Sequence, residues 1–143
     1  MVERITVDGK LIAIIIRADF KKEGVSFFTP SEFSQQLAFM SRKAGVKIDA
    51  HVHNHVLREV CLTQEVLFIK KGKLRVDFYD DEKRYVESQI LGAGDVVLLA
   101  CGGHGFEVLQ DVQMFEVKQG PYAGDKDKTR FKSVPANKLK IKN

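Results

Sequence analysis

The chain has 143 residues, 44% of them apolar, which suits one ordinary domain with a real core and excludes a disordered chain. Its formal charge of +4 is unevenly placed: residues 126–142 hold seven basic residues and one acidic residue, and the remainder is slightly acidic. The basicity is therefore read as a solvated tail and not as a nucleic-acid footprint, since no reading motif accompanies it. No apolar run nears the roughly 18 residues of a membrane helix.

In chain order, LIAIIIRADF opens with the longest apolar run, Leu11 to Ile16, and predicts a strand. No cleavage-like segment follows it, so no signal peptide is expected. GVSFFTP predicts a second strand, stopped by Pro30. Between Pro30 and Met40 one helical turn is expected, with Ser31 as its cap. QLAFMSR and VKIDAHVH predict strands on either side of the KAG turn, which contains Gly45. The run EVLFIKKGKLRVDFYDDEKRYVESQIL predicts two successive hairpins, turning at KKGK and at DDEK. GDVVLLACGGHGFEVL predicts a strand, a glycine-rich corner and another strand. VQMFEVKQG predicts the last, closed by Gly120-Pro121.

Eight or more short strands imply an all-β sandwich or small barrel. EVLFI is apolar at nearly every position, so both its faces need cover, from the early strands or from a partner subunit. The LIAIII strand is a candidate for pairing across a two-fold axis, and a homodimer is expected. Apolar periodicity fades after Gly120, which gives one domain over residues 1–124 and a loose basic tail over 125–143. Cys61 and Cys101 sit in apolar company and are expected to be buried thiols, consistent with a cytoplasmic protein.

Three of the four histidines fall within DAHVHNH, and the fourth, His104, follows a glycine pair. On a regular strand His51, His53 and His55 share one face, and two imidazoles at i and i+2 can grip one metal ion. Glu65 opens an apolar strand, where an unpaired carboxylate would cost several kcal/mol and a metal would relieve it. Glu59 competes with Glu65 for that place, and His55 competes with His51. Imidazole with carboxylate suits Fe, Mn, Ni, Co or Zn better than Ca or Mg.

These residues resemble the two motifs of the cupin superfamily. Glu65, VLFIKK and Gly72 match the second half of the first motif. Gly94-Asp95 leads through VVLLA and CGG to His104 as the second motif does, with Ala100 where proline is usual and the histidine one residue early. The histidine pair is His51 and His53, or His53 and His55; the first pair is favoured because it ends the strand predicted from Val46. NHVLREVCLTQ separates His53 from Glu65 by more than the family's usual spacing, and the usual asparagine after the last histidine is missing. The wording also looks like a group of small bacterial cupins, related to cupins of sugar and cell-surface polysaccharide metabolism.

The resemblance implies a cupin-type jelly-roll barrel of two antiparallel sheets, with one divalent transition metal ion on His51, His53, Glu65 and His104. It implies a metal-dependent enzyme acting on a small polar molecule such as a sugar or sugar nucleotide, as an isomerase, epimerase or oxygenase, with no catalytic residue assignable. A non-enzymatic cupin that binds a small ligand is the alternative. Arg58, Glu59, Lys118 and Tyr122 are candidates for contact with the small molecule; Lys118 and Tyr122 stand at a strand end, where barrel mouths form.

Overall fold

A computed structural model describes residues 1–142. The chain forms two compact units: Met1–Phe20 together with the chain from Leu62 onward, and Lys21–Cys61. The larger unit holds β1 (Val2–Val7), β2 (Lys10–Ile16), β5 (Glu65–Tyr79), β6 (Tyr85–Gly92), β7 (Val96–Leu99), β8 (Gly103–Lys118) and β9 (Ile141–Lys142) in one sheet. The smaller unit holds a single antiparallel hairpin of β3 (Gly24–Phe27) and β4 (Ala38–Ser41). No described helix is long and apolar enough to cross a membrane.

The large sheet is built on β5. Along one edge β5 pairs β8 from Glu65↔Lys118 to Tyr79↔Gly103. Along the other it pairs β7 through Glu65–Phe68 and then β6 through Lys73–Tyr79. Beyond β7 come β2 and β1. Between the two halves of β5 the register slips repeatedly, between Ile69 and Leu74. There Gly72 adopts φ +88°, and a Cβ built on it would lie 2.0 Å from the Asp111 carbonyl oxygen of β8. Only glycine allows two backbones so close in that conformation.

These bulges bend the β5–β8 ribbon back on itself. Residues 65 and 78 would lie about 43 Å apart on a straight strand. Yet the side chain of Glu65 meets that of His104, the register partner of Phe78. Chain length agrees: Leu99 sits opposite Glu65 and Gly103 opposite Tyr79, and four residue steps span at most about 14 Å. The result is a curled, open half-barrel. Its concave side carries the core: Ile5, Ala13, Ile15, Leu67, Ile69, Leu74, Val76, Phe78, Leu91, Val97 and Leu99. Ile12 joins them because β2 carries one extra residue there, between Ile5↔Ala13 and Thr6↔Leu11. Asp95 pins the β6–β7 turn: its carboxylate accepts from Ala18 N and Gly92 N and pairs with Arg17.

Several expectations are corrected. The expected closed barrel of two antiparallel sheets is instead one open seven-stranded sheet and a separate hairpin, and β9 joins β6 in parallel. Among the described residues β8 has no strand on its second edge, so the sheet does not close. KKGK is not a hairpin turn but the bulged bend within one 15-residue strand, and β8 likewise continues through both segments expected as separate strands. DDEK does turn, with the Asp80 carboxylate accepting from the backbone N–H groups of Glu82 and Arg84. VKIDAHVH is irregular and exposed, not a strand. Residues 31–35 form one turn, closed by Phe33 N donating to the Pro30 carbonyl, and then bends, with no helix. β2 is filled on both edges, by β1 and β7, so it cannot pair across a two-fold axis. Cys61 is exposed and Cys101 half-buried; both are free thiols.

Residues of the C-terminal segment contact the sheet. Phe131 packs edge-on against Tyr79 with centroids 5.0 Å apart, and Val134 N donates to the Tyr79 hydroxyl. Lys140 N donates to the Tyr85 hydroxyl before β9 joins the sheet.

Replacing Gly72 by Ala is expected to cost about 3 kcal/mol or more, because both backbone conformation and β8 must shift. Urea unfolding measures it; a loss under about 1 kcal/mol would mean that the bend does not depend on this contact.

Candidate functional site

The bend brings together residues from the two ends of β5 and β8. Glu65 begins β5 and faces the concave side with Leu67 and Ile69, as strand alternation requires. Only 12% of its side chain is exposed, so its charge needs partners. His104 Nε2 lies 3.2 Å from one carboxylate oxygen, and Lys118 Nζ lies 3.4 Å from the other. Lys118 ends β8 directly opposite Glu65. It also reaches Asp127 Oδ2 at 3.3 Å, in a short 3₁₀ turn over Gly124–Asp127. The other oxygen of Asp127 accepts a hydrogen bond from Thr63. His104 follows Gly102 and Gly103, the second of which lets Phe131 approach: a Cβ there would lie 2.8 Å from the Phe131 ring.

The electrostatics follow these contacts. Hydrogen bonding to His104 holds the Glu65 carboxyl below the usual carboxylate range, against the opposing push of burial and with help from Lys118. Asp127 is lowered chiefly by the Thr63 hydroxyl and then by Lys118. Lys118 is raised, chiefly by Asp127. Burial pushes the Cys101 thiol up.

Above this cluster opens a cleft of about 360 Å³, wholly within the larger unit. Its wall takes Glu65, His104 and Lys118 from the sheet, Gly102 and Gly103 from the corner, and residues 127–131 from the C-terminal segment. Asp80, Asp81 and Lys83 of the β5–β6 turn close another side. Tyr122 lies apart, 90% exposed, on a smaller cleft of about 200 Å³ that shares Lys118 and Asp127 with the first.

Of the expected metal ligands, Glu65 and His104 therefore meet, and Lys118 joins them. His51, His53 and His55 belong to the smaller unit, exposed and without regular structure. The rings of His51 and His53 touch in a T-shaped arrangement at 5.4 Å, and His51 Nδ1 lies 2.9 Å from the Asp49 carbonyl. Arg58 and Glu59 are exposed in the same stretch. Among the described residues no group of three or more His, Cys, Asp or Glu side chains is placed to hold a metal ion.

Asp127, Lys128, Arg130 and Phe131 were hidden from a sequence reading by their place in a tail that looked solvated. Their signal was slight: one acid and one aromatic within the basic run. Comparison of the chain with protein-family models, with curated proteins and with solved structures gives no match.

Because the folded Glu65 carboxyl titrates below its unfolded value, its contribution is full above the ordinary carboxylate range and is lost as pH falls through the lowered value. Urea midpoints should therefore fall on the acid side, and less so for Glu65→Gln. Carboxyl NMR should show the Glu65 titration moving up in His104→Ala and, to a smaller extent, in Lys118→Ala. An unmoved titration in His104→Ala would contradict the assigned contact.

Proposed function

We propose that the protein is a cupin-like, small-ligand-binding domain whose cleft above Glu65, His104 and Lys118 takes a polar molecule. The observation that carries this reading is the cleft itself. Its volume is in the range of small-molecule sites, and its floor is the buried Glu65 carboxylate with its half-buried partners His104 and Lys118, beside one aromatic wall. Two unpaired thiols suit the cytoplasm. A fragment screen read by backbone amide shifts tests the reading. The strongest perturbations are expected at Gly103, His104 and Phe131; hits scattered elsewhere, with these amides unmoved, would reject it.

One observation favours a second reading. Glu65 and His104, which stand for the glutamate of the first cupin motif and the histidine of the second, lie in contact. In that reading the chain is a metal-dependent enzyme of the isomerase, epimerase or oxygenase type, acting on a sugar or sugar nucleotide. The pair provides two donors, fewer than the three or more protein ligands usual for such ions, and Lys118 already holds the other carboxylate oxygen. Elemental analysis of protein purified without a metal-affinity column should find about one Fe, Mn, Ni, Co or Zn per chain if this reading holds, and none in the double variant Glu65→Gln/His104→Ala. A protein that is metal-free and binds no added ion would end it.

We also propose a homodimer. Phe68, Phe115 and Val117 lie together on the outer face of the β5–β8 ribbon, exposed by 41%, 62% and 61%. They continue onto the unpaired edge of β8, and a second copy of this face is the occupant whose apolar surface matches. Sedimentation should give twice the monomer mass at micromolar concentration, and Phe115→Glu should shift it to the monomer. A wild-type monomer would overturn the proposal.

A further inference from the structure

We infer that the cleft takes an oxyanion, a small molecule bearing a phosphate or carboxylate group. This deepens the ligand-binding reading and rests on it. Acids and bases around the cleft are unequally paired. Each of its carboxylates is already partnered. Glu65 has His104 and Lys118, and Asp127 has Thr63 and Lys118. Asp80 accepts from the backbone of Glu82 and Arg84 and from the Arg84 side chain at 2.6 Å. Asp81 pairs with Lys10 and accepts from Gly102 N.

The cations are not matched in the same way. Lys83, Lys128 and Arg130 line the same cleft, and among the described residues none of the three forms an ion pair. Lys83 Nζ stands 6.0 Å from the centre of the Phe131 ring. Lys128 and Arg130 ride on a segment fixed at both ends. Asp127 ties it to Lys118 and Thr63 on one side; Phe131 against Tyr79 and Val134 N on the Tyr79 hydroxyl tie it on the other.

The backbone that carries these cations is thus held at the cleft by contacts that do not neutralise them. An anionic group entering the cleft finds three cations that no carboxylate holds in an ion pair, although Asp127 lies within the field of Lys128. A cationic ligand finds only acids that are already engaged. Guanidinium and ammonium groups together suit a group with several acceptor oxygens.

The test compares glucose, glucose 1-phosphate and glucuronate on the full chain by amide shifts at Gly102, Gly103 and His104. At least one of the two anionic sugars should bind there, and glucose should not at the same concentration. The arm that binds names the oxyanion. The triple variant Lys83→Gln/Lys128→Gln/Arg130→Gln should weaken that binding by about tenfold or more while its urea midpoint stays at the wild-type value. Arg130→Lys, which keeps the charge, should retain most of it.

Equal binding of glucose and the anionic sugars would overturn the inference and leave the cleft reading standing. So would anionic binding that the triple variant does not weaken. Binding of none of the three would also overturn it; the fragment screen then shows whether the cleft reading falls as well.

Discussion

The bend in the β5–β8 ribbon is the constraint on which the larger unit depends. Two strands of fifteen and sixteen residues pair along their length, and a straight ribbon of that size would leave its inward side chains without a core. Gly72 breaks the ladder where its backbone lies almost against Asp111. Past that point β5 exchanges β7 for β6 as its neighbour, and Leu67 and Ile69 from one half join Leu74, Val76 and Phe78 from the other in one cluster. The same geometry lets the short Ala100–Gly102 corner carry the chain from the Glu65 end of β5 to its Tyr79 end.

The polar cluster follows from that bend. Glu65 occupies a core-facing position, so its charge must be answered locally. The bend delivers His104 from the far end of the ribbon, and strand register delivers Lys118 from directly across. Lys118 has charge to share, and Asp127 uses it to anchor the segment that walls the cleft. Burial, bend and wall are thus coupled through one carboxylate.

Much of this was legible in the sequence, though unevenly. Apolar runs between turn residues marked β2, β3, β4, β6 and β7 and each half of β5 and β8, and the spacing from Glu65 to Gly72 singled out a carboxylate beside the cleft and the glycine of the bend. The resemblance implied Glu65 and His104 as ligands of one ion; their direct contact was not foreseen. What could not be read was continuity. A glycine between lysines marks a bulge as well as it marks a hairpin, and the choice is made by Asp111, some forty residues on. Residues 46–53 alternate like a strand, but among the described residues no strand pairs with them, and propensity without a partner does not make a sheet. The tail looked soluble because its lysines are, while its anchors, Asp127 and Phe131, find their partners in distant parts of the chain.

The source of the cleft's wall has a consequence for chain order. Every strand of the curled sheet except β9 precedes residue 125, and Asp127, Lys128, Arg130 and Phe131 all follow it. The cleft thus has two origins: a floor at Glu65, His104 and Lys118, carried by the strands, and a wall carried by the segment after them. A change after residue 125 reshapes the wall without altering a residue of the floor.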